Sequence, residues 1–195
     1  MPDLKGLCNL FEIAEKVKET KRYKSSPKIA VKESVSDHSW KTALMIWSLT
    51  SEFNTGIDSG KSIKMAIIHD MVEAVTDDID HHEVAAGNIS IEKKRSDENK
   101  AMNSIMKLVP VAFGQEIETL WREFEEKKTK EARLVRAIEH IETVDHLIHL
   151  GSSAYDDPDL IIEYAKMALT EAPELKLFID QEIIRLQKEI GEGNR

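Results

Sequence analysis

Cysteine is almost absent: Cys8 stands alone in 195 residues, so no intramolecular disulfide can form, and a reducing compartment suits such a chain. For Cys8 itself the expectation is a small apolar core position. Glycine and proline are scarce, at 8 and 5, which excludes collagen-like and low-complexity architectures. Aromatic residues make up 6%, and no apolar run approaches the roughly 20 residues that a membrane helix needs. Residues 1–20 carry charges throughout, unlike a signal peptide or an anchor. With the lone cysteine, this makes a cytoplasmic protein the expectation. Positive charge is also in short supply: 27 basic against 36 acidic residues leave a net −9. That argues against broad contact with nucleic acid or an anionic membrane, because neutralising phosphates takes a basic stripe. A small phosphorylated ligand remains compatible, held by a few local cations or a metal. Glycine-rich phosphate loops, zinc-finger cysteine spacing and the nucleophilic-serine signature are missing as well.

What is present is helical periodicity. Apolar residues recur at spacings of three and four nearly everywhere, and strand-like alternation is almost missing, so an all-α fold is expected. A first helix over about 4–20 carries Leu7, Leu10, Phe11, Ala14 and Val17 on one face. The basic stretch 21–33, broken by Ser25, Ser26 and Pro27, is a loop. Residues 34–37 offer capping chemistry for a second helix through Trp40, Leu44, Trp47 and Leu49. After a turn at 54–60, a third helix over about 61–75 carries Ile63, Ala66, Ile67 and Met71. It ends in the acidic run Asp77, Asp78, Asp80. Further helices are expected at 99–109, 114–126, 130–150, 159–169 and 173–190. Trp40, Trp47 and Trp121 are assigned to the core. No repeat or linker divides the chain, so residues 1–195 are expected to form a single compact helical bundle. Its core would span about 21–150, with C-terminal helices at 159–190 packed on it.

The strongest chemical signal is His69-Asp70, following the apolar run 65–68. A carboxylate and an imidazole buried together cost several kcal/mol unless compensated, and a divalent cation compensates well. This donor set suits zinc, iron, cobalt or manganese better than calcium, which prefers oxygen alone. Glu73 follows four residues after His69, on the same helical face, where it can act as general acid or base or orient a water. His38, at the start of the preceding helix, supplies a second imidazole from a separate element.

Ser34-Val35-Ser36-Asp37-His38, then Ile67-Ile68-His69-Asp70-Met71-Val72-Glu73 and Asp77-Asp78, resemble the HD-domain 5′-deoxynucleotidases. The resemblance continues through Leu108-Val109-Pro110, Leu120-Trp121 and Glu131-Ala132-Arg133-Leu134-Val135-Arg136, covering about 21–150. It implies an HD-domain bundle and a metal-dependent phosphohydrolase converting deoxyribonucleoside 5′-monophosphates to deoxynucleoside and phosphate. It also implies one divalent metal ion (manganese, cobalt, iron, zinc or magnesium) and a homodimer. His38, His69 and Asp70 match three of the family's four metal ligands. The fourth is an aspartate in the family, and this chain has Glu139 there, with Glu142 and Asp145 as fallback ligands. Glu73 matches the family's catalytic glutamate, and Asp70 shares the task of positioning water. Asp78, eight residues after Asp70, matches the carboxylate that meets the sugar. Arg22-Tyr23 are the nearest match to an arginine and a tryptophan that hold phosphate and base, with Lys21, Lys24 and Lys28 adding positive charge.

Two rival functions fit the same sequence: a nucleoside triphosphohydrolase or other small-nucleotide hydrolase, and a regulatory module that binds metal or nucleotide without turnover. His81-His82-Glu83 is assigned to a solvated lid. His140, His146 and His149 are assigned to surface or supporting roles.

Overall fold

The computed structural model describes residues 1–79 and 87–193; Asp80 and the His81-His82-Glu83 stretch lie outside them. Nine α-helices make up the described residues: α1 (Leu4–Glu19), α2 (Val35–Glu52), α3 (Ser59–Ile68), α4 (Glu73–Thr76), α5 (Ile91–Met106), α6 (Val111–Glu126), α7 (Lys130–Leu150), α8 (Pro158–Glu171) and α9 (Lys176–Gly193). Extended pairing among these residues is limited to an isolated bridge between Lys21 and Ser34. The all-α class expected from periodicity is the one observed.

The bridge closes the neck of the 21–34 loop. Arg22 N–H donates to the Glu33 carbonyl (2.9 Å) and Val35 N–H to that of Thr20 (3.0 Å). The chain therefore enters α2 at a fixed point. There a capping box starts the helix: Asp37 N–H donates to Ser34 Oγ at 3.1 Å, and Ser34 N–H to Asp37 Oδ2 at 3.2 Å. Such a cap contributes about 1 kcal/mol, and here it also fixes the position of His38 one residue further on.

α7 is the axis of the bundle. α2, α3, α6, α8 and α9 all pack on it, and it is buried on nearly every side from Ala132 to Leu147. A helix so enclosed should be apolar all round. Instead Glu139, His140, Glu142 and Thr143 are buried along its middle. Buried ionisable groups are tolerated only where something pairs them, and this stretch forms one wall of the site.

Several expected positions are corrected. The single helix expected over 61–75 stops at Ile68 and resumes as α4 at Glu73. His69 supplies the reason: its Nδ1 donates to the Ala66 carbonyl at 2.7 Å, the carbonyl that Asp70 N–H would take in a continuous helix. The chain then tightens into i→i+3 bonds from Met71 N–H to Ile68 and from Glu73 N–H to Asp70. α2 buries Val35, His38, Ser39, Thr42, Ile46 and Leu49, so Trp40 and Trp47 lie outside, 67% and 63% exposed. Trp121 is buried as expected. α1 turns Gly6 and Ile13 inward and leaves Phe11 exposed. Ile67 is exposed too, and so is Cys8 rather than buried.

Candidate metal centre

His38 and His69 face each other across the gap between α2 and the turn after α3, ring centroids 5.3 Å apart. Each has its Nδ1 engaged from behind. His38 Nδ1 meets Glu142 Oε2 in a short hydrogen bond, and His69 Nδ1 donates to the Ala66 carbonyl. Nδ1 carries the proton of His69, so its Nε2 presents a lone pair, and a carboxylate behind His38 favours the same tautomer there. Both Nε2 atoms are buried and neither has a hydrogen-bond partner. A buried nitrogen whose lone pair meets no donor is costly unless a ligand fills the space before it.

Carboxylates complete the arrangement. Asp70 Oδ2 lies 3.1 Å from His69 Nε2 and 3.9 Å from His38 Nε2. Glu139 brings an oxygen to the same place: ligand atoms of His38, His69 and Glu139 lie within 4.8 Å of one another. Two imidazoles and two carboxylates from three segments of the chain therefore converge, and the donor set fits a divalent transition ion. Such a site would be held by His38 Nε2, His69 Nε2, Asp70 and Glu139. The two fallback carboxylates are elsewhere. Glu142 stands behind His38, and also pairs with Arg22 (3.5 Å) and Lys41 (3.1 Å). Asp145 pairs with Lys41 (3.0 Å) and Arg185 (2.7 Å).

The electrostatics follow from the crowding. Burial alone would raise the Asp70 carboxyl, but the neighbouring His69 and His38 hold it well below the usual carboxylate range. Glu139 is likewise lowered against its burial, chiefly by Arg136 and then His69. Burial would lower His69, yet Asp70 and Glu139 raise it. A raised imidazole beside lowered carboxylates marks a cluster short of positive charge. Glu73 goes the other way. Burial first, then the charges of Asp70 and Asp78, push its carboxyl well above the ordinary range, and its Oε2 is buried without a hydrogen-bond partner.

Beside this cluster lies a cavity of about 320 Å³, lined by Arg22, Tyr23 and Asp78 together with Thr143, Tyr155, Ile161 and Tyr164. All three residues expected to bind substrate thus border one space. Arg22 is anchored, donating to Glu33 (2.8 Å) and Thr143 (3.0 Å). Tyr23 adopts a left-handed backbone, φ 59°, and its ring stacks on His146 at 5.7 Å and 7°.

The profile of the family described as HD domain matches residues 14–173. The chain belongs to the HD domain family. Among its relatives, the mouse protein named 5′-deoxynucleotidase HDDC2 is 32% identical over 125 residues, covering 64% of this chain and 57% of the mouse protein. The Dictyostelium discoideum protein of the same name is 34% identical over 147 residues, 72% of this chain and 75% of that one. The alignment to the mouse protein thus spans just over half of its length. A solved structure from Magnetospirillum magnetotacticum, described as a predicted metal-dependent phosphohydrolase, superposes with a TM-score of 0.75 at 19% identity, covering 95% and 94% of the two chains. A Pyrococcus horikoshii protein gives 0.72 at 23%, covering 92% and 99%. At these identities the likeness is one of fold.

Three features of this HD chain were not legible as functional in the sequence. Lys94 on α5 brings a cation near Glu73, Asp70 and Asp78, while its own ion pair with Glu98 is loose at 3.6 Å. Arg136 grips Glu139 from one turn away. Tyr155, Ile161 and Tyr164 line the cavity from the C-terminal part of the chain. Lys94 sits in a run of surface charges, and the cavity residues lie beyond the motif segment, so neither carried a local signal; Arg136 lies within the resembling segment, which gave it no role.

Proposed function

We propose that this protein is a metal-dependent phosphohydrolase acting on nucleotides, and that its substrate is a deoxyribonucleoside 5′-monophosphate. The observation that carries the reading is the pair of bare, buried Nε2 atoms of His38 and His69. They meet the carboxylates of Asp70 and Glu139 next to a cavity sized for a small molecule. The relatives' names supply the substrate class. His38, His69, Asp70 and Glu139 are the proposed ligands of a divalent ion, which when bound would supply Lewis acidity to a phosphoryl oxygen and acidify a nearby water.

In this reading Glu73 is the proton carrier. Burial and the charges of Asp70 and Asp78 raise its carboxyl well above the ordinary range, which suits a group that takes a proton from the attacking water. The water adds to phosphorus opposite the 5′-oxygen and gives its proton to Glu73 as the bond from phosphorus to that oxygen breaks; the departing 5′-oxygen takes a proton from solvent in the cavity, and Glu73 then releases the one it holds. Asp70 helps position that water. Asp78 and Tyr23 border the nucleoside, and Arg22, fixed by Glu33 and Thr143, adds positive charge at the phosphate end.

The chain is read as working as one domain on a small nucleotide rather than on nucleic acid, in keeping with its net charge of −9. No helix among the described residues is long and apolar enough to cross a membrane. A cytoplasmic setting belongs to the same proposal and rests on the lone Cys8. So does a homodimer, supported by the exposed stripe Trp40, Leu44 and Trp47 on α2.

The test is product analysis. Metal-reconstituted protein is incubated with a panel of deoxynucleoside mono-, di- and triphosphates. Inorganic phosphate and nucleoside from the monophosphates are expected. Triphosphate released from a triphosphate would replace this reading with the triphosphohydrolase. Tight binding of a nucleotide with no hydrolysis of any would replace it with a regulatory module.

A further inference from the structure

Arg136 lies one turn before Glu139 on α7 and folds its guanidinium back onto that carboxylate. Nη1 donates to Oε2 at 2.9 Å and to Oε1 at 3.3 Å. The guanidinium also lies over the ring of Phe124, 4.1 Å from its centroid. The Phe124 ring in turn meets His69 edge to face, with centroids 5.2 Å apart and planes at 71°. Arg136, Phe124 and His69 come from α7, α6 and the turn after α3, and together they join two of the groups that face the centre. Arg136 and Glu139 are both largely enclosed, with side chains 16% and 11% exposed.

A glutamate carries one more rotatable bond than an aspartate, so its carboxylate needs more than its own backbone to hold one orientation. A planar guanidinium resting on an aromatic face, with one Nη1 donating to both carboxylate oxygens, supplies that restraint, which an ammonium at the end of a flexible stem does not. We propose that Arg136 is the positioning residue of the metal centre. Through Nη1 and its Phe124 platform it holds the longer Glu139 carboxylate toward His38 and His69. This rests on the metal-centre reading above and adds a residue to it.

The test uses metal-free full-length protein titrated with Co²⁺ alone, followed by calorimetry and by the visible absorption of the bound ion. Arg136→Lys keeps the charge and loses the planar group that rests on Phe124. Its Kd for Co²⁺ is expected to rise about 10-fold, as losing a group that orients a ligand typically costs. The absorption band should shift as Glu139 changes its presentation. In a Glu139→Gln background the same substitution should cause no further weakening. Equal affinity and an unchanged spectrum in Arg136→Lys would overturn the proposal, as would an equal loss in the Glu139→Gln background, the mark of general destabilisation. Should Arg136→Lys fail to fold, Phe124→Leu removes the platform and leaves both charges; a weaker Kd is expected, and an unchanged one overturns the proposal. A wild type that binds no Co²⁺ overturns the metal-centre reading and the proposal together. That result is distinct from binding that Arg136 does not influence.

Discussion

At the scale of single residues, the decisive arrangement is what stands behind each imidazole. His69 is oriented by a backbone carbonyl, that of Ala66, which no side-chain substitution can remove. His38 depends on Glu142, a carboxylate held well below its usual range, to about 2, where the charges of His38, Arg22 and Lys41 overcome burial. Glu142→Ala should therefore weaken Mn²⁺ binding about 10- to 100-fold in a chelator competition; an unchanged affinity would remove Glu142 from the site. Glu73 makes a different prediction, because it borders the centre without belonging to its ligand set. Glu73→Gln should keep its bound metal, read by elemental mass spectrometry, while phosphate release falls at least about 100-fold. Retained activity would leave the proton without its carrier.

At the scale of elements, the HD motif owes its shape to a helix that stops. Had α3 run on through residue 75, His69 could not have spent its Nδ1 on Ala66 and turned its Nε2 to the centre. The apolar pattern of 61–75 gives no hint of this, since the interruption comes from a side chain competing for one carbonyl. Helix geometry alone did not choose among Glu139, Glu142 and Asp145; the resemblance favoured Glu139. Residues three apart differ by about 60° around a helix, so the three carboxylates fan across about 120°, and only packing sets which one faces inward. His38 and the His69-Asp70 pair were legible because the motif fixes them locally. Asp145 in fact ties α7 to α2 and α9 through Lys41 and Arg185. Its carboxyl is lowered, with Lys41 and Arg185 outweighing burial. A depressed folded-state pKa contributes stability above the unfolded value of about 4, and the contribution is lost as pH falls below it. Asp145→Asn should accordingly lower the melting temperature at pH 7. The gap to wild type should narrow toward pH 3, with bound metal unaffected at pH 7. A gap that is constant with pH would contradict the ion-pair account.

Across the whole molecule, polar chemistry is turned inward and apolar surface outward on the same helix. α2 buries His38, Ser39 and Thr42 beside Val35, Ile46 and Leu49, and exposes Trp40, Leu44 and Trp47. A hydropathy reading turns Trp40 and Trp47 inward, because burying His38 is favourable only with Glu142 and the rest of the centre in place. The fold class and most helix bounds were legible, since periodicity carries them; the orientation of α2 was not, since the site carries it. If the exposed stripe is the homodimer face, Trp47→Lys should shift sedimentation from dimer to monomer with little change in the melting temperature. A wild type that sediments as a monomer would remove the homodimer from the account. The central claim is that one ion is held jointly by residues from separate helices, so removing one imidazole should empty the site. The direct measurement is the metal content of reconstituted, folded His69→Ala beside wild type. The account predicts stoichiometric metal in the wild type and almost none in the variant, whereas a variant that retains the wild-type content would contradict it.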